Sequence, residues 1–278
     1  MAYSDKLDKG QPVSTYRLEE LLPNSLTTSP VVSLRTFDKV NGAVSLLSHN
    51  LETFTDSLVI TRDDKPVGII GSVEIFEGIL KEPKDTFFEH DVEKFMNTTH
   101  LIILKPDTVL SDLLLRWNQT RRAFAIIPNQ YHGFSVISAR KLLEIGVSCK
   151  TNLRVSDIQK REIVTFEKSD SIKDIISSMF ENKTRKLVLK DTSSFISDRI
   201  IMQKIARELD YLQSENNFLE MKGAAFKLDE AKKISDNLTI NEAAKIMYGM
   251  QSPYLMVENH VITPWDIAMT LSSNEVYN

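Results

Sequence analysis

An α+β fold made of four βαββα repeats, arranged as two pseudo-symmetric pairs, is predicted by three observations. One order of signals recurs four times in 278 residues: apolar run, turn, amphipathic helix pattern, β-branched run, turn, second run, helix pattern. A β-branched residue near the start of each first helix, at Val40, Val109, Ile172 and Ile240, returns after 69, 63 and 68 residues. The junction of last strand and last helix falls at Gly71, Ser138, Ser197 and Thr263, spaced 67, 59 and 66 residues apart. Two independent landmarks with nearly one period fix the repeat before any local assignment.

In chain order, residues 1–20 read as a polar leader. Repeat 1, residues 21–83, holds "SPVVSLRTFDKVNGAVSLL" and then "DSLVITRDDKPVGIIGSVEIFEGIL", a hairpin with Asp63, Asp64 and Pro66 around its turn and Gly68 in the returning strand. "KEPKDTFFEHD" leads to repeat 2, residues 88–147, with "HLIILKPDTVLSDLLLRW" and "RAFAIIPNQYHGFSVISARKLLEI". After "GVSCKTN", repeat 3 spans 152–210; Ile172, Ile175, Ile176 and Met179 mark a helix face, and "KLVLK" a strand. "RELDYLQSENNFLEMKG" is read as a helical connector into repeat 4, residues 216–275, which closes on "SPYLMVENHVITPWDIAMTL". Phe180, Met247 and Trp117 lie on these helices and are expected in the core. The linkers suggest pairing of repeat 1 with 2 and of repeat 3 with 4.

Composition is that of a soluble globular protein, 42% hydrophobic and 26% charged. Its 34 basic and 38 acidic residues give a formal net charge of -4, so the chain as a whole is no polybasic nucleic-acid footprint, although a local patch is compatible with that average. Cys149 is alone, which rules out an intrachain disulfide and suits a reducing compartment. The N-terminus carries no apolar targeting core, and no apolar run approaches about 18 residues. The expectation is a cytoplasmic protein without a membrane partner.

Phosphate-loop, nucleophile-elbow and His-Glu-x-x-His motifs are missing, and the five histidines are scattered. No catalytic or metal-binding residue and no required cofactor is therefore expected. His132 and His260, near the hairpins of repeats 2 and 4, read as exposed turn residues.

The junctions "GIIGSVEIF" in repeat 1 and "VITPWDIA" in repeat 4 carry a family resemblance. Together with the four copies in register over residues 21–275, they resemble the cystathionine beta-synthase (CBS) domain, which occurs in tandem pairs called Bateman modules. The resemblance implies two such modules in a chain that stands alone. It also implies a regulatory ligand of the AMP, ADP, ATP or S-adenosylmethionine kind, bound in clefts of the pairs and signalled to a protein partner of unknown identity. A homodimer is one assembly it suggests. By the same resemblance Thr263 would contact phosphate or ribose, and Asp266 would accept from ribose hydroxyls.

The other copies depart from that pattern. Gly71 and Glu74 stand at the two positions in repeat 1, Ser138 and Lys141 in repeat 2, Ser197 and Ile200 in repeat 3, with Asp198 shifted along the chain. Lysine cannot accept a hydrogen bond. Arg121, Arg122, Arg185 and Lys186 precede second strands where CBS proteins often carry basic residues, and Arg185 is a candidate to face the fourth site across a pair. Erosion in three copies keeps a second reading open: a CBS scaffold that docks on RNA, DNA or a ribosome-like assembly, its nucleotide sites largely decayed.

At Thr263 a local reading competes with the ligand. The threonine caps the helix, Pro264 suits its first position, and Asp266 complements the helix dipole. A cap needs only the hydroxyl, which makes the Asp266 carboxylate the group expected to be free for a ligand.

Overall fold

The structure, a computed structural model, describes residues 10–22, 31–49, 57–105, 107–129, 133–208 and 218–278. Helix α1 (Leu18–Leu21) precedes the repeats. Repeat 1 runs β1 (Ser33–Arg35), α2 (Val40–His49), β2 (Ser57–Arg62), β3 (Lys65–Gly71), α3 (Ser72–Lys81). Repeat 2 has α4 (Leu110–Thr120), β4 (Phe124–Pro128), β5 (Phe134–Ser138) and α5 (Ala139–Ser148), its first strand reduced to a parallel bridge between Ile103 and Ile126. Repeat 3 follows with β6 (Thr165–Phe166), α6 (Ile172–Glu181), β7 (Lys186–Leu189), β8 (Ser194–Ser197), α7 (Asp198–Arg207) and an added edge strand β9 (Asp229–Glu230). Repeat 4 comprises β10 (Lys232–Lys233), α8 (Ile240–Tyr248), β11 (Leu255–Val257), β12 (His260–Ile262) and α9 (Pro264–Thr270).

The βαββα order is thus present four times, and the strand directions agree. In repeats 1, 3 and 4 the first strand lies parallel to the second, which a crossover helix makes feasible, and the second lies antiparallel to the third. The hairpin of repeat 1 turns on Asp63 and Asp64, with φ of 50° and 58°. Two successive left-handed residues are what a two-residue hairpin turn requires, and aspartate tolerates that conformation better than most residues.

Packing pairs the repeats differently from their sequence order. One compact unit combines Val32–Leu101 with Glu162–Ala231, which is repeat 1 with repeat 3; the other combines Met1–Val31, Ile102–Arg161 and Lys232–Asn278, which is repeat 2 with repeat 4. We call these the odd and even units. In the odd unit a core joins Val44 and Ile75 of repeat 1 to Ile176 and Ile201 of repeat 3, with α2 lying against α7. In the even unit α5 packs on both α8 and α9, burying Leu143, Ala244 and Ile267 together. Adjacency in sequence is a guide to which strands pair within a repeat; the apolar faces left on the helices decide which repeats pack together.

Part of the expected leader belongs to this core. Val13 and Leu18 are buried in the even unit, as is Leu22 just beyond the leader, and there the Leu18 amide donates to the Thr108 carbonyl and the Leu110 amide to the Tyr16 carbonyl. Trp117 and Met247 are fully buried and Phe180 is half-buried, in agreement with a core role. Most of the expected helical connector, residues 209–217, lies outside the described residues, and 3-10 turns at Phe218–Glu220 and Gly223–Ala225 follow. His132 also lies outside them.

Side chains fix the starts of the first helices in repeats 3 and 4. Ser171 Oγ accepts the Asp174 amide at 3.1 Å while the Asp174 carboxylate accepts the Ser171 hydroxyl at 2.5 Å and its amide at 3.2 Å. Thr239 and Glu242 repeat the arrangement at α8. The Ser171 hydroxyl, then its amide, hold Asp174 below the usual carboxylate range; the Thr239 amide, then its hydroxyl, do the same for Glu242. A carboxylate depressed by folding contributes stability that is present above its unfolded pKa and lost as pH falls through its folded one. Stability should therefore fall as pH drops below the ordinary carboxylate range. Ser171→Ala should cost about 1 kcal/mol at neutral pH and flatten that fall, read from urea midpoints between roughly pH 7 and pH 3.

Candidate functional site

The strand-to-helix junctions are where four copies of one geometry carry four different side-chain sets. Each last helix begins directly after an extended residue: Gly71, Ser138, Ser197 and Thr263 all have φ between −120° and −141°. Extended backbone at the N-cap leaves the first-turn amides to be satisfied by side chains. In repeats 2 and 3 the expected hydroxyl caps are present, Ser138 Oγ accepting from the Lys141 amide and Ser197 Oγ from the Ile200 amide, each at 3.4 Å.

Repeat 4 corrects the expectation about Asp266. Its Oδ2 accepts both the Thr263 amide at 2.8 Å and the Thr263 hydroxyl at 2.7 Å. The fold uses the carboxylate because Pro264 opens α9 and the Thr263 hydroxyl donates to Asp266 instead of accepting a first-turn amide. Oδ2 is spent on the junction, and Asp266 Oδ1 has no partner among the described residues. Asp266 is 9% exposed, so that oxygen is held in place by packing as well as by the cap.

In repeat 1 the equivalent acid is taken up on both oxygens. Glu74 Oε2 accepts the Gly71 amide at 2.9 Å and Oε1 faces Asn97 Nδ2 at 3.4 Å, with Glu74 only 5% exposed. Lys141, at that position in repeat 2, is turned to Glu144 at 3.3 Å. Ile200 in repeat 3 is buried and apolar.

Arg185 sits on Asp198 of its own repeat and on Ser72 of repeat 1. Its Nε donates to Asp198 Oδ2 at 2.5 Å, Nη2 reaches the same oxygen, and Nη2 also donates to the Ser72 hydroxyl at 3.0 Å. Ser72 Oγ donates to Asp198 Oδ2 at 2.5 Å, and the Arg199 amide donates to Oδ1 at 2.8 Å. A carboxylate 3% exposed requires a cation and donors around it, and Arg185 supplies the cation inside the odd unit. Arg185 is thus engaged within the odd unit, and Thr263 and Asp266 belong to the even unit.

Two side-chain contacts of the even unit escaped the sequence reading. Arg140, buried at the second position of α5, donates to the Gln251 carbonyl at 2.9 Å and to the Met250 carbonyl, just beyond the end of α8. Its signal was an arginine three residues before Leu143 on an otherwise apolar helix face. Arg121, in a left-handed turn with φ of 56°, places its guanidinium 5.5 Å from the centre of the Trp265 ring, a cation–π distance. His260 differs from the exposed turn residue expected of it: it is half-buried in β12 and its Nδ1 is enclosed without a partner, as is the indole Nε1 of Trp265.

Cys149 is buried, and that burial pushes its thiol up to about 11, which leaves it unreactive near neutrality. No cluster of three metal-ligating side chains occurs among the described residues, and no helix is long and apolar enough to cross a membrane.

Comparison with solved structures places the fold. A Methanocaldococcus jannaschii protein, described as a candidate archaeal homolog of g-AMPK, superposes with a TM-score of 0.74 at 19% identity, covering 91% of this chain and 98% of that one. A conserved uncharacterized protein from Pyrococcus horikoshii matches with a TM-score of 0.55 at 12% identity, over 92% and 99%. A CBS-domain protein from Agrobacterium tumefaciens matches 47% of this chain and 92% of its own at 13% identity, with a TM-score of 0.40. No protein-family model and no curated protein matches the sequence. Four βαββα repeats in two pseudo-symmetric pairs are the fold of tandem CBS-domain proteins, and this chain has that fold.

Proposed function

We propose that the chain is a regulatory ligand-sensing module that binds an adenosine-containing small molecule and passes its occupancy to a partner. The observation that carries the reading is Asp266: an acid fixed by Thr263 through one oxygen, with the other uncommitted, at the junction where the CBS resemblance implies ribose recognition. A carboxylate oxygen held in place is a strong acceptor for ribose hydroxyls. The likeness of the fold to the M. jannaschii protein described as a g-AMPK homolog supports the ligand class. Signalling requires only that the ligand bind two conformations of the module unequally. No reaction is part of the proposal.

Differential scanning fluorimetry with AMP, ATP, S-adenosylmethionine and cyclic dinucleotides tests it. A ligand at about 100 times its dissociation constant adds roughly 2.7 kcal/mol to the folded state, so at least one compound should raise the midpoint by several degrees. A flat response to the whole panel would sink the reading. Asp266→Ala should weaken binding by about 1.5 to 3 kcal/mol, measured as affinity.

The scaffold reading keeps one observation in its favour. The junctions of repeats 1 and 3 hold their acids in hydrogen bonds within the fold. Its signature is co-sedimentation with RNA, DNA or ribosomes that weakens steeply with salt.

A further inference from the structure

Two side chains tie α5 and α8 of the even unit together at both ends. Arg140, the second residue of α5, donates to the Gln251 carbonyl at 2.9 Å and to that of Met250, just past the end of α8. Asn241, the second residue of α8, answers at the opposite end. Its Nδ2 shares two hydrogens among the carbonyls of Gly146 and Cys149, each at 3.1 Å, and of Val147, where α5 runs out. The two helices are therefore antiparallel, and the start of each supplies donors to the end of the other. Carbonyls at a helix end have no intrahelical donor, and the negative end of the dipole favours a cation.

The same residue types stand at the same positions in the odd unit. There α7 lies against α2, and their second residues are Arg199 and Asn41. The second positions of α3, α4, α6 and α9 hold Val73, Ser111, Lys173 and Trp265 instead. Arginine thus marks the last helix of repeats 2 and 3, and asparagine the first helix of repeats 1 and 4. Both observed pairings, 2 with 4 and 3 with 1, set a marked last helix on a marked first helix.

We infer that this Arg–Asn clamp selects the partner and the register of repeat packing, a polar choice laid over the apolar one. One apolar helix face tolerates another of similar volume, whereas a buried guanidinium requires acceptors. Arg140 is buried, so sliding α8 by one turn along α5 leaves a cation without its carbonyls even where the apolar side chains repack. No complete clamp can form between repeats 2 and 3 or between repeats 1 and 4. The order 1 with 2 and 3 with 4 satisfies the marks as well, and between those two arrangements the apolar faces decide. The inference involves no ligand and stands apart from the proposed function.

Refolding of the full chain tests it. Both tryptophans, Trp117 and Trp265, belong to the even unit, so their fluorescence follows that unit alone. Arg140→Met keeps the long stem and removes the donors, and Asn241→Ala releases the other end; each should lower the urea midpoint by about 0.5 to 1 M. Lost stability alone fits a local role, so selection is read from the products of refolding, by size-exclusion chromatography with light scattering. The double variant should return a larger share of higher-mass species, in which repeats have paired between chains, than Leu143→Ala does. Leu143→Ala loosens the same helix pair and leaves the clamp intact. If the double variant does not refold, each single variant is set against Leu143→Ala in the same way. Unchanged midpoints in both single variants, or refolding as clean as that of Leu143→Ala, would overturn the inference.

Discussion

Asp198→Ala will destabilise the odd unit by roughly 3 kcal/mol, the low end of what breaking a buried ion pair costs. The carboxylate side chain is only 5% exposed and accepts from Ser72 of repeat 1 as well as from Arg185 and the Arg199 amide. Its loss leaves the Ser72 hydroxyl and the first-turn amide of α7 without their acceptor. The low end applies because the Arg185 side chain is 43% exposed and can turn to water. Arg185→Ala should cost comparably, since it strands the buried carboxylate, and the double variant should cost clearly less than the sum of the two. Urea midpoints of the three proteins provide the check. Additive losses would mean that the three groups do not act as one network.

Gly78→Ala should also destabilise, by about 1 to 3 kcal/mol, although glycine to alanine inside a helix ordinarily stabilises by nearly 1 kcal/mol. The reason is a close approach: a Cβ on Gly78 would stand 2.2 Å from Cε2 and 2.6 Å from Cζ of Phe87. That ring is itself fully buried and edge-packed on Phe88 and Phe95, at centroid distances of 5.2 and 4.9 Å. It has little room to move. Phe87→Leu in the Gly78→Ala background should recover part of the loss, and thermal midpoints would show it. A stabilised single variant would mean that the ring is free to shift.

The repeat was legible because strand and helix periodicities are local and recur with the two landmarks. The pairing of repeats was not, because it depends on which helix faces remain apolar after each hairpin folds. Ile176 and Ile201 read equally well against any neighbour; only the assembled structure sets them with Val44 and Ile75. At the candidate site the hydroxyl caps of Ser138 and Ser197 could be read from their position before a helix. The role of Asp266 in the cap could have been read too, since Thr-x-x-Asp ahead of an apolar run is a capping-box pattern. Asp198 with Ser72 was beyond sequence reasoning, because 126 residues separate two groups that meet at 2.5 Å. A charged residue on an apolar helix face, as at Arg140 and Asp198, was the one available hint of a buried polar contact.

The interleaving of the repeats has a consequence for biosynthesis. The even unit receives chain from Met1–Val31 and is closed only by Lys232–Asn278, whereas the odd unit has all its residues once Ala231 has been made. Emerging from the ribosome, the chain changes body four times, from even to odd, back to even, again to odd, and last to even. Repeat 2 must wait through the synthesis of about seventy intervening residues of repeat 3 with the face of α5 that packs on α8 and α9 uncovered. The half-made even unit is thus the species that a chaperone would meet.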